Sequence, residues 1–274
     1  MKIAVIMPTK GRPAGMAASL RAFWAAQSDR HQVQYVVSYC GDDEATFAEA
    51  LRLPPDMDAL IQRRPDHCTP GGAINAAVAA VQADAYVGVG DDVFPMTPGW
   101  DQWIAAALEQ AGPIASWTET TDQANNSYLF ASSRFVNALG SPLLPDYFPY
   151  WFIDMWLAEI CHFAFGNRPP IIQGLYIGGR RGKTTGMREL PLWLDLFTAT
   201  RPERMELARK LVAEFPERAG GDLQEILRIY AAWDADIRHK ERGFEEKFSD
   251  AREPELYYKL ARERAIAILG KAAA

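Results

Sequence analysis

The sequence predicts an α/β domain built on a mostly parallel sheet, followed by a C-terminal helical extension. Three observations carry that expectation. Short apolar runs rich in β-branched residues alternate with longer helical patterns through the first half of the chain. Polar turns carrying Gly, Pro and Asp close those runs. Beyond Gly186 strand-like runs stop, and mixed charge at helical spacing takes over.

The runs at 2–7, 33–39, 59–62 and 85–89 are the first four strands, and the patterns at 16–27, 44–51, 73–83 and 100–111 are the helices that follow them. Short strands are expected at 114–117, 128–131 and 170–173, with a helix at 153–165. Helical periodicity returns at 201–215, 222–240 and 253–269. The chain accordingly divides into a catalytic domain over 1–186 and a helical extension over 187–274 packed on it.

With 274 residues, 49% of them hydrophobic, the chain has ample material for a large core. A net charge of -6 gives no electrostatic reason to expect general binding to nucleic acid. Cys40, Cys68 and Cys161 stand far apart without CxxC spacing, which argues against a disulfide framework or a zinc site and for a reducing cytoplasm. The opening MKIAVIMPTKGRP reads as a buried first strand rather than a targeting segment, and no later apolar run is long enough to span a bilayer.

In an open α/β sheet a ligand crevice forms at the carboxyl ends of the strands, and three polar motifs fall there. They are Pro8-Thr9-Lys10-Gly11-Arg12-Pro13, Cys40-Gly41-Asp42-Asp43 and Gly90-Asp91-Asp92. Taken alone, each is an ordinary turn. Adjacent carboxylates at a strand tip repel unless a cation intervenes, and magnesium or manganese is the hard cation that joins carboxylates to substrate phosphates. Asp92 is the expected direct ligand, with Asp91 helping through ribose or a metal-bound water.

The layout VIMPTKGRP, VVSYCGDD and GGAINAAVAAVQADAYVGVGDD resembles the nucleotide-binding half of GT-A glycosyltransferases, most closely the inverting family two, over about residues 1–175. The resemblance implies a GT-A nucleotide-diphospho-sugar transferase fold and a metal-dependent hexosyl- or pentosyltransferase, with UDP the commonest donor nucleotide among relatives. It places Pro8, Thr9 and Arg12, with Asp42 or Asp43, around the nucleotide. Gly71, Gly72 and Asn75 match the helix that leads into the metal motif, and the resemblance implies that Asn75 joins the nucleotide contacts. The motif here is Gly90-Asp91-Asp92 rather than a full Asp-x-Asp.

The resemblance also implies a general base at the start of a later helix, and Asp154 fits that position. Partial burial beside aromatic rings would raise its pKa toward a useful value. The alternative is that Asp154 only caps the helix. Around it, Tyr150, Trp151 and Trp156 are candidate acceptor-stacking rings, although core packing is the ordinary role of any one of them. Gly178 to Gly186 combines glycines with Arg180, Arg181 and Lys183, which could close over a diphosphate or form a solvated loop. His162 reads as a packed core histidine. The acceptor stays open between a glycan, a lipid-linked sugar, a protein and a modified DNA base. Two rival readings are a nucleotidyltransferase on a related sheet and a noncatalytic nucleotide-sugar-binding protein.

Overall fold

The computed structural model describes residues 1–65, 68–120, 127–149, 152–179, 189–248 and 256–272. Its centre is an eight-stranded sheet. The chain opens with β1 (Lys2–Thr9), α1 (Pro13–Ala26), β2 (Gln32–Cys40), α2 (Glu44–Ala50), β3 (Ala59–Arg64), α3 (Pro70–Ala80) and β4 (Ala85–Gly88). These four strands are parallel, in the spatial order β3-β2-β1-β4. Because helices cover both faces, β1 reads as a continuous apolar run, and Ile3 through Met7 are at most 1% exposed.

The second half of the sheet is mixed. Its elements are β5 (Val93–Pro95), α4 (Trp100–Gln110), β6 (Ile114–Glu119), β7 (Leu129–Ser132), α5 (Ser133–Leu139), α6 (Ile153–Phe165) and β8 (Ile171–Gly179). Strand β7 runs antiparallel between β4 and β6, and β8 lies parallel to β6 with β5 antiparallel at the edge. The expected strand at 170–173 continues to Gly179 because of a bulge: Trp117 pairs with Ile172, but Thr118 pairs with Tyr176. Gly174 sits inside it at φ +93, and a Cβ there would meet the Trp103 ring at 2.9 Å. The sequence expectation that Gly178 and Gly179 belong to a loop is therefore corrected, since both pair with β5.

The extension consists of α7 (Leu190–Ala199), α8 (Arg201–Glu214), α9 (Leu223–Phe248) and α10 (Leu256–Ala272), with a short 3-10 turn at Pro216–Arg218. One hydrophobic cluster takes in Phe135 of α5, Trp156 of α6, Phe197 of α7, Leu211 of α8 and Ala261 of α10. Helix α6 is bound to α8 by charge as well. Glu159 accepts from Arg204 at 2.9 Å and from Arg201 at 2.6 Å, and Glu159 and Arg204 are fully buried. Arg201 also pairs with Asp234 of α9 at 3.0 Å. The Arg204 guanidinium stacks 3.8 Å from the Phe197 ring and 4.7 Å from the Trp156 ring.

Candidate active site

The loops after β1, β2 and β4 converge at the carboxyl edge of the parallel strands. Asp91 is the inner carboxylate, 8% exposed. The Thr9 hydroxyl donates to its Oδ2 at 2.7 Å, and Arg12 Nη1 donates to its Oδ1 at 3.1 Å. The same Arg12 nitrogen donates to Asp92 Oδ2 at 3.1 Å, so one cation spans both carboxylates. Asp92 is the outer carboxylate, with 38% of its side chain exposed. Burial pushes the Asp91 pKa up, and the Thr9 hydrogen bond and the Arg12 charge offset only part of that.

The helix α1 holds this tip in place. Its Ser19 hydroxyl donates to the Val93 carbonyl at 2.6 Å, and a Cβ on Gly15 would lie 2.8 Å from the Asp91 carbonyl oxygen. Against a full Asp-x-Asp, either Gly90 takes the place of the first carboxylate or Val93 that of the last. A Cβ on Gly90 would come within 3.1 Å of Asp92 Oδ1, so the glycine leaves room for Asp92 to fold back.

The structure separates the two candidates after β2. Asp43 caps α2: it accepts from Thr46 N at 3.1 Å, from the Thr46 hydroxyl at 2.6 Å and from Gly11 N at 2.6 Å. Burial opposes its charge, but the bonds from Thr46 and Gly11 prevail and hold its pKa below the usual carboxylate value. Asp43 thus ties the β1 loop to α2 at the carboxyl edge of the sheet. Asp42 is half exposed and faces Lys10 at 3.8 Å. Pro8 ends the apolar stretch of β1 and lines a cavity beside Gly90.

The Nδ2 of Asn75 donates to the Leu144 carbonyl at 2.7 Å and its Oδ1 accepts from Leu144 N at 2.9 Å, which holds the amide against the segment before α6. Gly71 serves the same contact, since a Cβ there would stand 2.3 Å from the Pro145 carbonyl oxygen. The resemblance found the right helix. What that helix grips is the chain itself.

Asp154 lies in the first turn of α6, half-buried, beside Tyr128 and Gly90 in the lining of one cavity. Burial raises its pKa; the N–H groups of Met155 and of Asp154 itself, and the Arg168 charge, pull it back only in part. Tyr128 lines this cavity with Asp154 and stands beside Gly90. Its pKa is pushed up by burial and then by the fields of Asp92, Glu119, Asp154 and Asp91. No helix-capping hydrogen bond comes from the residue before α6, Phe152, which is held at φ 74.

Trp156, expected among the acceptor rings, is core: 3% exposed, under Arg204 and edge-on to Tyr147 and Phe148 at 6.2 and 6.3 Å. Tyr150 and Trp151, and Arg180, Arg181 and Lys183, lie outside the described residues. Gly179 brings the chain to the site, since a Cβ on it would lie 3.4 Å from the Asp92 carbonyl oxygen. His162 meets the Tyr230 hydroxyl at 3.2 Å and packs edge-on to that ring, as a core histidine does. Among the described residues no group of three His, Cys, Asp or Glu side chains clusters to hold a metal.

Arg64 and Tyr128 are the residues that sequence reasoning missed. Arg64 is 6% exposed at the end of β3 and donates to the Thr9 carbonyl at 3.0 Å, while its Nε has no partner among the described residues. A buried cation whose partners are carbonyls adds positive potential directly beneath the β1 loop. In sequence it is one of two adjacent arginines closing a strand, and nothing marks it as the buried one.

The strand order, the mixed second half and the carboxylate tip after β4 define a GT-A fold, that of nucleotide-diphospho-sugar transferases with a helical C-terminal extension. Among solved structures, the chain is similar to glucosyl-3-phosphoglycerate synthase from Mycobacterium tuberculosis in complex with Mn2+, UDP and phosphoglyceric acid (16% identity, 74% of this chain, 78% of that one, TM-score 0.53). It is also similar to the mannosyltransferase PcManGT from Pyrobaculum calidifontis in complex with GDP-Man and Mn2+ (14% identity, 99% of this chain, 85% of that one, TM-score 0.54). A third is TarS 1-349 of S. aureus, at 12% identity over 99% of this chain and 81% of that one, TM-score 0.58. At these identities the likeness is one of fold. No protein-family model matches the chain, and no curated protein sequence does.

Proposed function

We propose that the chain is a metal-dependent glycosyltransferase that moves a sugar from a nucleotide diphosphate, a UDP-sugar, to an acceptor hydroxyl with inversion. The observation that carries this reading is the carboxylate tip: Arg12 spans Asp91 and Asp92, and Gly90, the residue before them, lines one cavity with Asp154. The solved neighbours with Mn2+ and UDP or GDP-Man support it.

The donor set suits magnesium or manganese, which take oxygen ligands from one or two carboxylates and complete their shell with phosphates and waters. Asp92, the exposed carboxylate, is the direct ligand; Asp91, held by Thr9, supports it. When bound, such an ion supplies Lewis-acid stabilisation of the charge on the departing diphosphate. The chain's own residues do the rest. Pro8, Thr9, Arg12 and Asp42 seat the nucleotide at the ends of β1 and β2, with Arg64 beneath them. Arg180, Arg181 and Lys183, which follow Gly179 in sequence, serve the phosphates. Tyr150 and Trp151, just ahead of α6, serve the acceptor.

Asp154 takes the proton of the acceptor hydroxyl. The oxygen then bonds to the anomeric carbon as the bond from that carbon to the phosphate oxygen breaks, and its electron pair leaves with the nucleoside diphosphate. Residues 1–186 form the catalytic domain and 187–274 its extension. No described helix is long and apolar enough to cross a membrane. We place the protein in the cytoplasm on its free cysteines, of which Cys40 and Cys161 are buried. The test is incubation with manganese and either a UDP-sugar or UTP plus a sugar 1-phosphate: release of UDP from the first supports transfer, whereas release of pyrophosphate from the second would support nucleotidyl transfer instead.

A further inference from the structure

Between the sheet and helices α3, α5 and α6 lies an open-mouthed cavity of about 360 Å3. Ile6 of β1 and Gly88 of β4, paired neighbours, form its floor, and Ile74, Val136 and Leu157 are among its walls. Its polarity is uneven. The Tyr86 hydroxyl is spent on the Val81 carbonyl at 3.2 Å, while Ser127, Tyr128 and Asp154 contribute polar groups.

Strand register shows which end those groups occupy. Val87 pairs with Phe130 and Tyr86 with Ala131, so Tyr128 and Gly90 stand at the carboxyl edge of β4 while Tyr86 and Ala131 lie deep. The four extended residue steps from Gly90 down to Tyr86 cover roughly 13 Å. The cavity is therefore a slot, polar at the mouth and apolar along its depth. Protein interiors rarely leave voids larger than a water, and an apolar one stays dry and accepts an apolar guest. Its size falls at the lower end of ligand pockets, roughly 300–1,000 Å3.

We infer that this slot holds an aliphatic chain, alkyl or isoprenyl, carried by the acceptor. The inference rests on the transferase reading for the role of Asp154. A chain seated against Ile74, Val136 and Leu157 brings a hydroxyl at its head to the mouth, where the Asp154 carboxylate stands. Gly88 keeps the floor open: an added Cβ would meet only the Leu129 carbonyl oxygen, at 3.8 Å, so a side chain there would occupy the slot without a clash.

The test uses the full chain with glucose, n-hexyl and n-octyl β-D-glucopyranoside below their micelle concentrations, titrated calorimetrically with UDP and manganese present. Each buried methylene contributes about 0.8 kcal/mol, close to fourfold in affinity, so the octyl compound is expected to bind at least about tenfold more tightly than the hexyl. Gly88→Val from the floor and Ala131→Leu from β7 fill the slot and are expected to abolish the octyl preference at an unchanged or raised melting temperature. Equal binding of the two glucosides by the wild type, or an undiminished octyl preference in a folded filled variant, would overturn the inference. UDP binding without chain-length dependence strikes the slot assignment alone. Chain-length dependence that survives when UDP fails to bind with or without manganese strikes the transferase reading alone.

Discussion

The hydroxyl of Thr9 donates a 2.7 Å hydrogen bond to the carboxylate of Asp91, across 82 residues of sequence. That bond fixes the end of β1 to the tip after β4, and it partly offsets the burial that raises the Asp91 pKa. Thr9→Val removes the donor and leaves a buried acceptor unsatisfied, at a cost of about 1–3 kcal/mol. The expected result is a lower melting temperature together with weaker UDP binding in the presence of manganese.

The raised Asp91 pKa has a pH consequence. Folding makes this carboxyl hold its proton above the ordinary value of 3.8, so the folded state binds more protons than the unfolded one through that window. This group's contribution to stability therefore falls as pH rises from 3.8 through the folded pKa. Metal binding needs the ionised form and must strengthen over the same window. Manganese affinity followed against pH should rise later in Thr9→Val than in the wild type.

Asp154→Asn should lower kcat by about 10^2 to 10^4 while UDP binding stays as in the wild type, the signature of a lost general base. Since burial raises the Asp154 pKa, the acid limb of kcat/KM in the wild type should lie above the usual carboxylate range. Steady-state rates across pH check both.

The buried pair of Glu159 and Arg204 anchors the helix that carries Asp154. Arg204→Met leaves the buried Glu159 with Arg201 as its partner and should lower stability in chemical denaturation by less than the roughly 3–5 kcal/mol of a fully stranded buried charge, while the double variant Glu159→Leu with Arg204→Met should regain most of the loss. Failure of the double variant to recover would show that the ion pair does more than satisfy itself.

Asn75→Ala tests whether the amide serves the chain or the donor. Loss of its two bonds to Leu144 should lower the melting temperature and leave UDP affinity unchanged. A selective loss of UDP affinity would restore the nucleotide-binding assignment.

The parallel half of the sheet was legible because strands buried on both faces read as apolar runs, as in Ile3 through Met7. Four elements were missed or cut short, among them helix α5, whose seven residues make barely two turns. Strand β5 is only three residues long, too short for any periodicity. Helix α7, LPLWLDLFTA, is apolar almost all round and lacks the polar face that reveals an amphipathic helix. Strand β8 is interrupted by the bulge at Gly174. In the candidate site, motif order pointed to loops that the fold brings to one edge of the sheet, but sequence does not say which of two adjacent carboxylates caps a helix. The partner of Asn75, Leu144, comes from another segment, as does Gly11 for Asp43, whose other two bonds are local ones from Thr46, and only the fold brings the distant partners near.

The central claim is that Asp91 and Asp92 hold a divalent cation against the phosphates of an activated sugar. Calorimetric titration of UDP into the wild type and Asp92→Asn, with manganese and with EDTA, addresses it most directly. The account predicts binding that requires manganese in the wild type and is weakened at least about 100-fold in the variant, the size expected when about 2.7 kcal/mol of coupling is lost. UDP binding that ignores both the metal and the substitution would contradict it.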